Sequence, residues 1–253
     1  MLAGKIGYFR PRGFDPRSIS GLELWLDFTD ASTLTTSGSQ ISSANDKSGK
    51  GRIASQTTAN NRPVLVSSAI NGRSVASFDG VNDNLPVASF PAITALTAFA
   101  VAYRNWTSLT GYRVMLGQSY SANTGISLLT HAHAAALDWQ AGDFFSFGNG
   151  FTAGRFPRTI APLGTVANGR PLVMSTTLSS TASGQWINGI STSSRVNVTG
   201  TVNCASGTLN VGASGDGSFA DYSVGEILFY LRALSTSERL AVESYLTTKY
   251  AIT

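Results

Sequence analysis

The chain has 253 residues, 42% of them hydrophobic but only 13% charged, and a formal net charge of +4. Its 33 Ser and 26 Thr, beside 26 Gly, carry most of the solvation. That mix excludes a long-helix bundle, which needs Ala, Glu, Lys, Leu and Arg, and favours short strands joined by Gly, Ser and Asn turns.

Hydrophobic residues run along the whole chain, which argues against disorder. No run of 18 apolar residues indicates a membrane span. Cys204 is the only cysteine, so an intrachain disulfide and a cysteine-based zinc site are both excluded. Lys5, Arg10, Arg12 and Arg17 stand against Asp15 alone in residues 1–17. A basic arm of that kind suits an acidic partner surface. The body carries no dense basic stripe, so nucleic acid is not an expected partner. The opening MLAGKIGYFRPRGFDPR lacks the apolar core of an ordinary secretory signal.

The first predicted strand is Leu22–Phe28. Period-two alternation places Glu23, Trp25 and Asp27 on one face and Leu22, Leu24, Leu26 and Phe28 on the other. Residues 29–62 read as a turn-rich polar segment. Pro63–Ser67 and Val75–Asp79 follow as strands around the Asn71-Gly72 turn. Leu96–Tyr103 is apolar on both faces, as expected of a strand covered on each side. Tyr112–Gly117, Gly125–Thr130 and Pro171–Leu178 are further strands. Asn188-Gly189 marks a hairpin tip, and Thr208–Ala213 and Tyr222–Leu231 complete the set. One helix is predicted near the end, opened by the capping box Ser235-Thr-Ser-Glu238. Leu240, Val242 and Leu246 form its expected apolar stripe, with Tyr245 beside it.

Several of these segments together carry a resemblance. They are Phe14–Asp27, Asn45-Asp-Lys-Ser-Gly-Lys-Gly51, Ile70–Leu85 and Val224–Arg239 with the helix to Tyr250. They resemble the laminin-G-like domains of the concanavalin A-like lectin/glucanase superfamily found in bacterial and bacteriophage virion proteins. The resemblance covers roughly residues 14–90 and 184–250, and residues 104–170 match nothing in it. It implies an all-β fold: a jelly-roll sandwich of two antiparallel sheets with one short C-terminal helix. Residues 1–17 would be a basic arm and residues 18–253 a single domain. It also implies a place in a phage virion, as a capsid decoration or a fibre or spike component. The partners would then be other virion proteins of the capsid or tail, in a homo-oligomer such as a trimer. Lys5, Arg10, Arg12 and Arg17 would dock the arm on the particle.

Laminarinase-type enzymes of the superfamily carry paired glutamates around an aspartate on one strand. No such motif occurs here; the only glutamates are Glu23, Glu226, Glu238 and Glu243. Glu23 and Asp27 sit four apart on one strand, about 13 Å at strand rise. Glycosidase carboxyls need roughly 5–9.5 Å. Glu226 and Glu23 could meet only across strands. The expectation is therefore a protein that is not an enzyme, with no catalytic residue.

His131-x-His133 would put two imidazoles on one strand face without a third ligand. Asp79–Asp83 and Asp216–Asp221 offer oxygen ligands, but lack EF-hand spacing and read better as Asx-type turns. No metal or cofactor is expected. The aromatic stretch from Asp138 to Phe151 has three readings. Asp138, Trp139, Gln140 and Asp143, with Phe144 and Phe145, could form a sugar platform for a host-surface glycan, as in a receptor-recognition lectin. They could instead seal a subunit interface or pack the core of an inserted hairpin.

Overall fold

The computed structural model describes residues 13–105, 112–121, 124–131, 144–148, 158–161, 169–192, 195–197, 202–215 and 217–253. The strands in chain order are β1 (Leu22–Asp27), β2 (Leu34–Ser37), β3 (Gln40–Asn45), β4 (Ile53–Ser55), β5 (Val64–Ile70) and β6 (Arg73–Ser77). There follow β7 (Leu85–Phe90), β8 (Leu96–Arg104), β9 (Leu116–Ser121), β10 (Thr124–His131), β11 (Phe144–Gly148) and β12 (Arg158–Ala161). The last are β13 (Leu172–Leu178), β14 (Ser183–Ile187), β15 (Ile190–Ser191), β16 (Arg195–Asn197), β17 (Gly207–Val211) and β18 (Tyr222–Tyr230), then helix α1 (Thr236–Tyr250).

Every pairing is antiparallel, and the pairings resolve into two sheets. One runs β15–β14–β13–β8–β18, with β1 and β6 both beside β18 and β5 beyond β6. The other runs β2–β3–β4–β7–β17–β9–β10–β11–β12–β16. They join at one pair, Gln40 opposite Val64. This is the expected jelly-roll sandwich.

Alternation decides what fills it. Leu24, Leu26, Ala98, Ala100, Ile227 and Phe229 of the first sheet face Ile41, Ala54, Val87, Leu116, Leu209 and Val211 of the second. Phe90 meets Phe229 edge-on, with ring centroids 5.2 Å apart. The opposite face of the first sheet buries Trp25, Phe99, Val101, Leu228 and Tyr230 beneath Val242, Leu246 and Tyr250 of α1. β8 is thus covered on both sides, as its unbroken apolar run predicts.

Three expectations need correction. Residues 29–62 contain β2, β3 and β4. These strands are built of small polar residues, and only Ile41, Ala44 and Ala54 are fully buried in them, too few for a visible period. Leu22 does not share the face of Leu24, because a register shift between them turns it toward α1. Leu240 is 45% exposed; the buried positions of α1 are Arg239, Val242, Glu243, Leu246 and Tyr250, at i, i+3, i+4, i+7 and i+11.

The capping box of α1 is present in both directions. At the helix's other end, the Asn71 side chain donates to the carbonyls of Tyr250 and Ala251, at 2.8 and 3.1 Å. Asn71 and Gly72 have φ of 46° and 83°, as do Asn188 and Gly189 at 50° and 80°, the left-handed pair that a type I′ hairpin requires. Gly225 lies at a register shift in β18. A Cβ there would come within 2.7 Å of the Tyr250 ring, so the helix end sits directly on the sheet backbone.

Candidate functional site

The main polar cluster lies between the first sheet and α1. Register sets Asp27 directly opposite Glu226, and the strand faces turn both side chains toward the helix. Glu226 is fully buried and Asp27 nearly so. One ammonium answers both. Lys249 Nζ donates to Asp27 Oδ2 at 2.7 Å and to Glu226 Oε2 at 2.6 Å. Glu226 Oε1 accepts from Trp25 Nε1 at 2.6 Å and from the Tyr245 hydroxyl at 2.9 Å.

A second ammonium comes from the loop after β3. Asp46 Oδ1 accepts from the backbone N–H groups of Trp25 and Ser48, both at 2.8 Å, which docks the Asn45–Gly51 loop along β1. Lys47 Nζ then reaches Asp27 at 2.9 Å and Asp30 at 2.7 Å, and lies 4.9 Å from the centre of the Trp25 ring.

The electrostatics follow from this order. Burial pushes the Glu226 carboxyl up, the charge of Asp27 adds to that, and Lys249 and Trp25 only partly oppose them. Burial also raises Asp27, but Lys249 and Lys47 outweigh it and hold the carboxyl below its usual range. Asp30 is pulled down to about 2, chiefly by its hydrogen bond from Lys47. Burial raises the Tyr245 hydroxyl further from ionisation, and the neighbouring Glu226 adds to it. A groove of about 530 Å³ runs beside the cluster, between Phe14 and α1, with Tyr245 and Lys249 in its wall.

The pairing differs from the one contemplated across strands. Glu23 is held elsewhere by Arg52, and Lys50 stands 4.0 Å from it. The partner of Glu226 is Asp27. A carboxylate pair acting in hydrolysis needs one protonated member facing a substrate. Here both face the same lysine beneath a helix, so the arrangement fastens α1 to the sheet.

The other predicted site residues lie differently. Arg17 is described, and its guanidinium is held by Asp15 at 2.7 Å, both exposed. Lys5, Arg10, Arg12, His133, Asp138, Trp139, Gln140, Asp143 and Asp216 lie outside the described residues. Phe144 and Phe145 fall in β11, where only the backbone is described, paired with β10 and β12; His131 falls likewise in β10. Asp79 Oδ1 accepts from the N–H groups of Val81, Asn82 and Asp83, so that loop is an Asx-type turn. Among the described residues no three of His, Cys, Asp and Glu are grouped to hold a metal ion.

Sequence reasoning missed Lys249 and Lys47. The signal for Lys47 was present, since Asn45–Gly51 stands out as a motif. Lys249 is an ordinary helix lysine until the register of β1 on β18 is known.

No protein-family profile matches the chain, and no curated protein matches it. Solved structures do. Domain 4 of AbnA, a GH43 extracellular arabinanase from Geobacillus stearothermophilus, in complex with arabinotriose, superposes with a TM-score of 0.58 at 15% identity, over 88% of this chain and 97% of that one. The Trypanosoma rangeli sialidase in complex with the inhibitor DANA gives a TM-score of 0.55 at 14% identity, over 91% of this chain. This chain spans only 33% of that sialidase. The botulinum neurotoxin serotype D ligand binding domain, in complex with N-acetylneuraminic acid, gives 0.55 at 10% identity, over 88% of this chain and 50% of that one. At these identities the likeness is one of fold, and it agrees with the jelly-roll β-sandwich described above.

Proposed function

We propose that this chain is a non-enzymatic carbohydrate-binding module, carried as a structural component of a phage particle. The observation that carries the first half is the state of the Asp27–Glu226 pair. Both carboxylates are committed to Lys249 under α1, so the acidic pair that strand register brings together among the described residues is a fastening. Binding is favoured over bond-breaking on that ground. Sugar as the ligand is supported by domains of the same fold that hold arabinotriose and N-acetylneuraminic acid. A single shallow sugar site binds weakly, and repeated copies on a particle supply avidity. The virion setting rests on the resemblance of residues 14–90 and 184–250, with the arm bearing Lys5, Arg10, Arg12 and Arg17 as the docking element.

The test has two parts. A glycan array should show binding, while the same glycans incubated with the protein should show no turnover. Turnover that disappears in Glu226→Gln would replace this reading with a hydrolase. For the particle, deletion of residues 1–12 should abolish capture on purified virions with the fold intact; undiminished capture would remove the arm's role.

A further inference from the structure

A second concavity, of about 310 Å³, lies across the first sheet from the lysine cluster. It is bounded by the β13–β14 hairpin and the first turns of α1, and is lined by Thr177, Ala182, Ser183, Trp186, Thr236 and Arg239 among others. Arg239 is only 6% exposed. Its Nη1 donates to both oxygens of Glu243, at 2.7 and 2.6 Å. Glu243 is fixed in turn by the Ser175 hydroxyl at 2.5 Å. The guanidinium carbon sits 4.0 Å from the centre of the Trp186 ring. The benzo edge of that ring packs against Gly184, where a Cβ would come within 2.3 Å of it. The fork of Arg239 is thus held by Glu243 at one nitrogen and by the Trp186 ring, each of them braced in turn by Ser175 and Gly184.

Among the described residues its Nε and Nη2 donors have no hydrogen-bond partner, and neither nitrogen is sealed from solvent. In a side chain this buried, the cleft it lines is where those donors are reached. Ser183 stands in the same wall with a buried hydroxyl that has no partner among the described residues, a state native structures rarely leave unexplained. Thr236, the first residue of α1, brings the positive end of a 15-residue helix to the same cleft.

The geometry points to this cleft as a subsite for one carboxylate-bearing sugar residue of the uronic-acid type, an inference that rests on the carbohydrate-binding reading above. A preset pair of parallel N–H donors matches a carboxylate in bidentate fashion and a single hydroxyl poorly. Because Glu243 balances the charge of Arg239 from behind, the selectivity lies in direction more than in net charge. Thr181 and Thr236, both exposed in the wall, offer hydroxyls to the ring hydroxyls of a pyranose. The volume lies at the lower end of small-molecule pockets, the size of one sugar ring.

The test is calorimetric and ligand-observed NMR titration of the full chain with galacturonate, glucuronate, their oligosaccharides, glucose, acetate and sulfate. Uronates should bind at least about tenfold more tightly than glucose or acetate, the discrimination a charge-assisted pair gives. Ala182 is an exposed rim residue, so Ala182→Trp should plug the cleft and abolish uronate binding with an unchanged melting temperature. Arg239→Lys keeps the charge and loses the fork; it should weaken uronates about tenfold, with circular dichroism confirming the fold. Uronate binding that survives Ala182→Trp would overturn the subsite and leave the carbohydrate reading standing. Acetate or sulfate binding as tightly as uronate would also overturn it, since the cleft would then be an anion pocket and no sugar site. Neutral oligosaccharides binding while uronates do not would overturn it too. Silence toward every saccharide, here and on the array, would remove both.

Discussion

The two faces of the first sheet are held in different ways. Toward the second sheet, the inward residues of β1, β8 and β18 are Leu, Ala, Ile and Phe with Val224 and Tyr222, and they meet other apolar side chains. Toward α1, the same strands present Trp25, Asp27 and Glu226, tied by Lys47, Lys249 and Tyr245. The inner face is stabilised by area removed from water, which is non-directional. The outer face adds charges whose desolvation is costly unless each partner is in place. An apolar contact tolerates a shift of the helix along the sheet. A lysine that must reach two carboxylates at once does not, so the ion cluster sets where α1 sits while the apolar contacts supply most of the attraction.

Removing the two anchors should separate these roles. Phe229→Ala empties the inner face beside Phe90 and should cost about 3–5 kcal/mol, with the same loss by chemical denaturation at pH 5.5 and pH 8. Lys249→Met keeps the aliphatic stem but leaves Glu226 buried without a cation and Asp27 with Lys47 alone, at a cost of about 3–5 kcal/mol near neutral pH. That loss should depend on pH. The Glu226 carboxyl is already raised by burial and by Asp27, and without the ammonium it rises further. A carboxyl raised in the folded state is least costly below its unfolded value and destabilises as pH climbs through its folded one. The gap between the variant and the parent should therefore narrow from pH 8 to pH 5.5. Equal gaps at both values would mean that Lys249 acts through packing alone.

Asp83 sharpens the contrast, being a buried acid that faces another acid. Burial, then the charge of Asp79, push its carboxyl up to about 6. The shift is upward, so the protein is favoured below about pH 4 and loses that stability as pH rises through about 6. Asp83→Asn keeps an acceptor for the Asp79 N–H and removes the charge. It should gain on the order of 1–2 kcal/mol at pH 7.5 and nothing near pH 4. Melting curves across that range measure it.

Asn71 tests the helix's far end. Asn71→Ala removes both side-chain donors to the last carbonyls of α1 and the residue best suited to its positive φ. A loss of about 1 kcal/mol is expected in thermal melts. The same residue shows how far the sequence could be read. Asn71-Gly72 announces a hairpin turn, and the turn is there. That its amide also caps a helix some 180 positions later in the chain has no local signal. The strands with a strong period, β1, β8, β13 and β18, were legible, because one or both faces are uniformly apolar. β2, β3 and β4 were not, since Ser and Thr occupy positions whose burial is decided by the opposite sheet. Trp25, Asp27 and Glu226 were visible as residues. Their meeting depends on the register of two strands some 200 positions apart, and Arg239 and Trp186 likewise come together only once α1 lies on the sheet.

The smallest effect is expected at Tyr250, where the two faces differ most sharply. Its ring is wholly buried among Val242, Leu246 and Tyr230 and against Gly225. Its hydroxyl is also buried and makes no hydrogen bond of ordinary geometry among the described residues; the charge of Glu226 helps to keep it protonated, but that carboxylate is taken up by Lys249 and Tyr245. If the outer face is held by saturated polar contacts, an unpartnered hydroxyl contributes only its desolvation cost. Tyr250→Phe keeps the ring and removes that cost, so it should leave the protein unchanged or raise its stability by up to about 1 kcal/mol. A clear loss on denaturant unfolding would mean that the hydroxyl takes part in the carboxylate cluster. In that case α1 would be fastened to Glu226 by one more polar contact than Tyr245 and Lys249 provide.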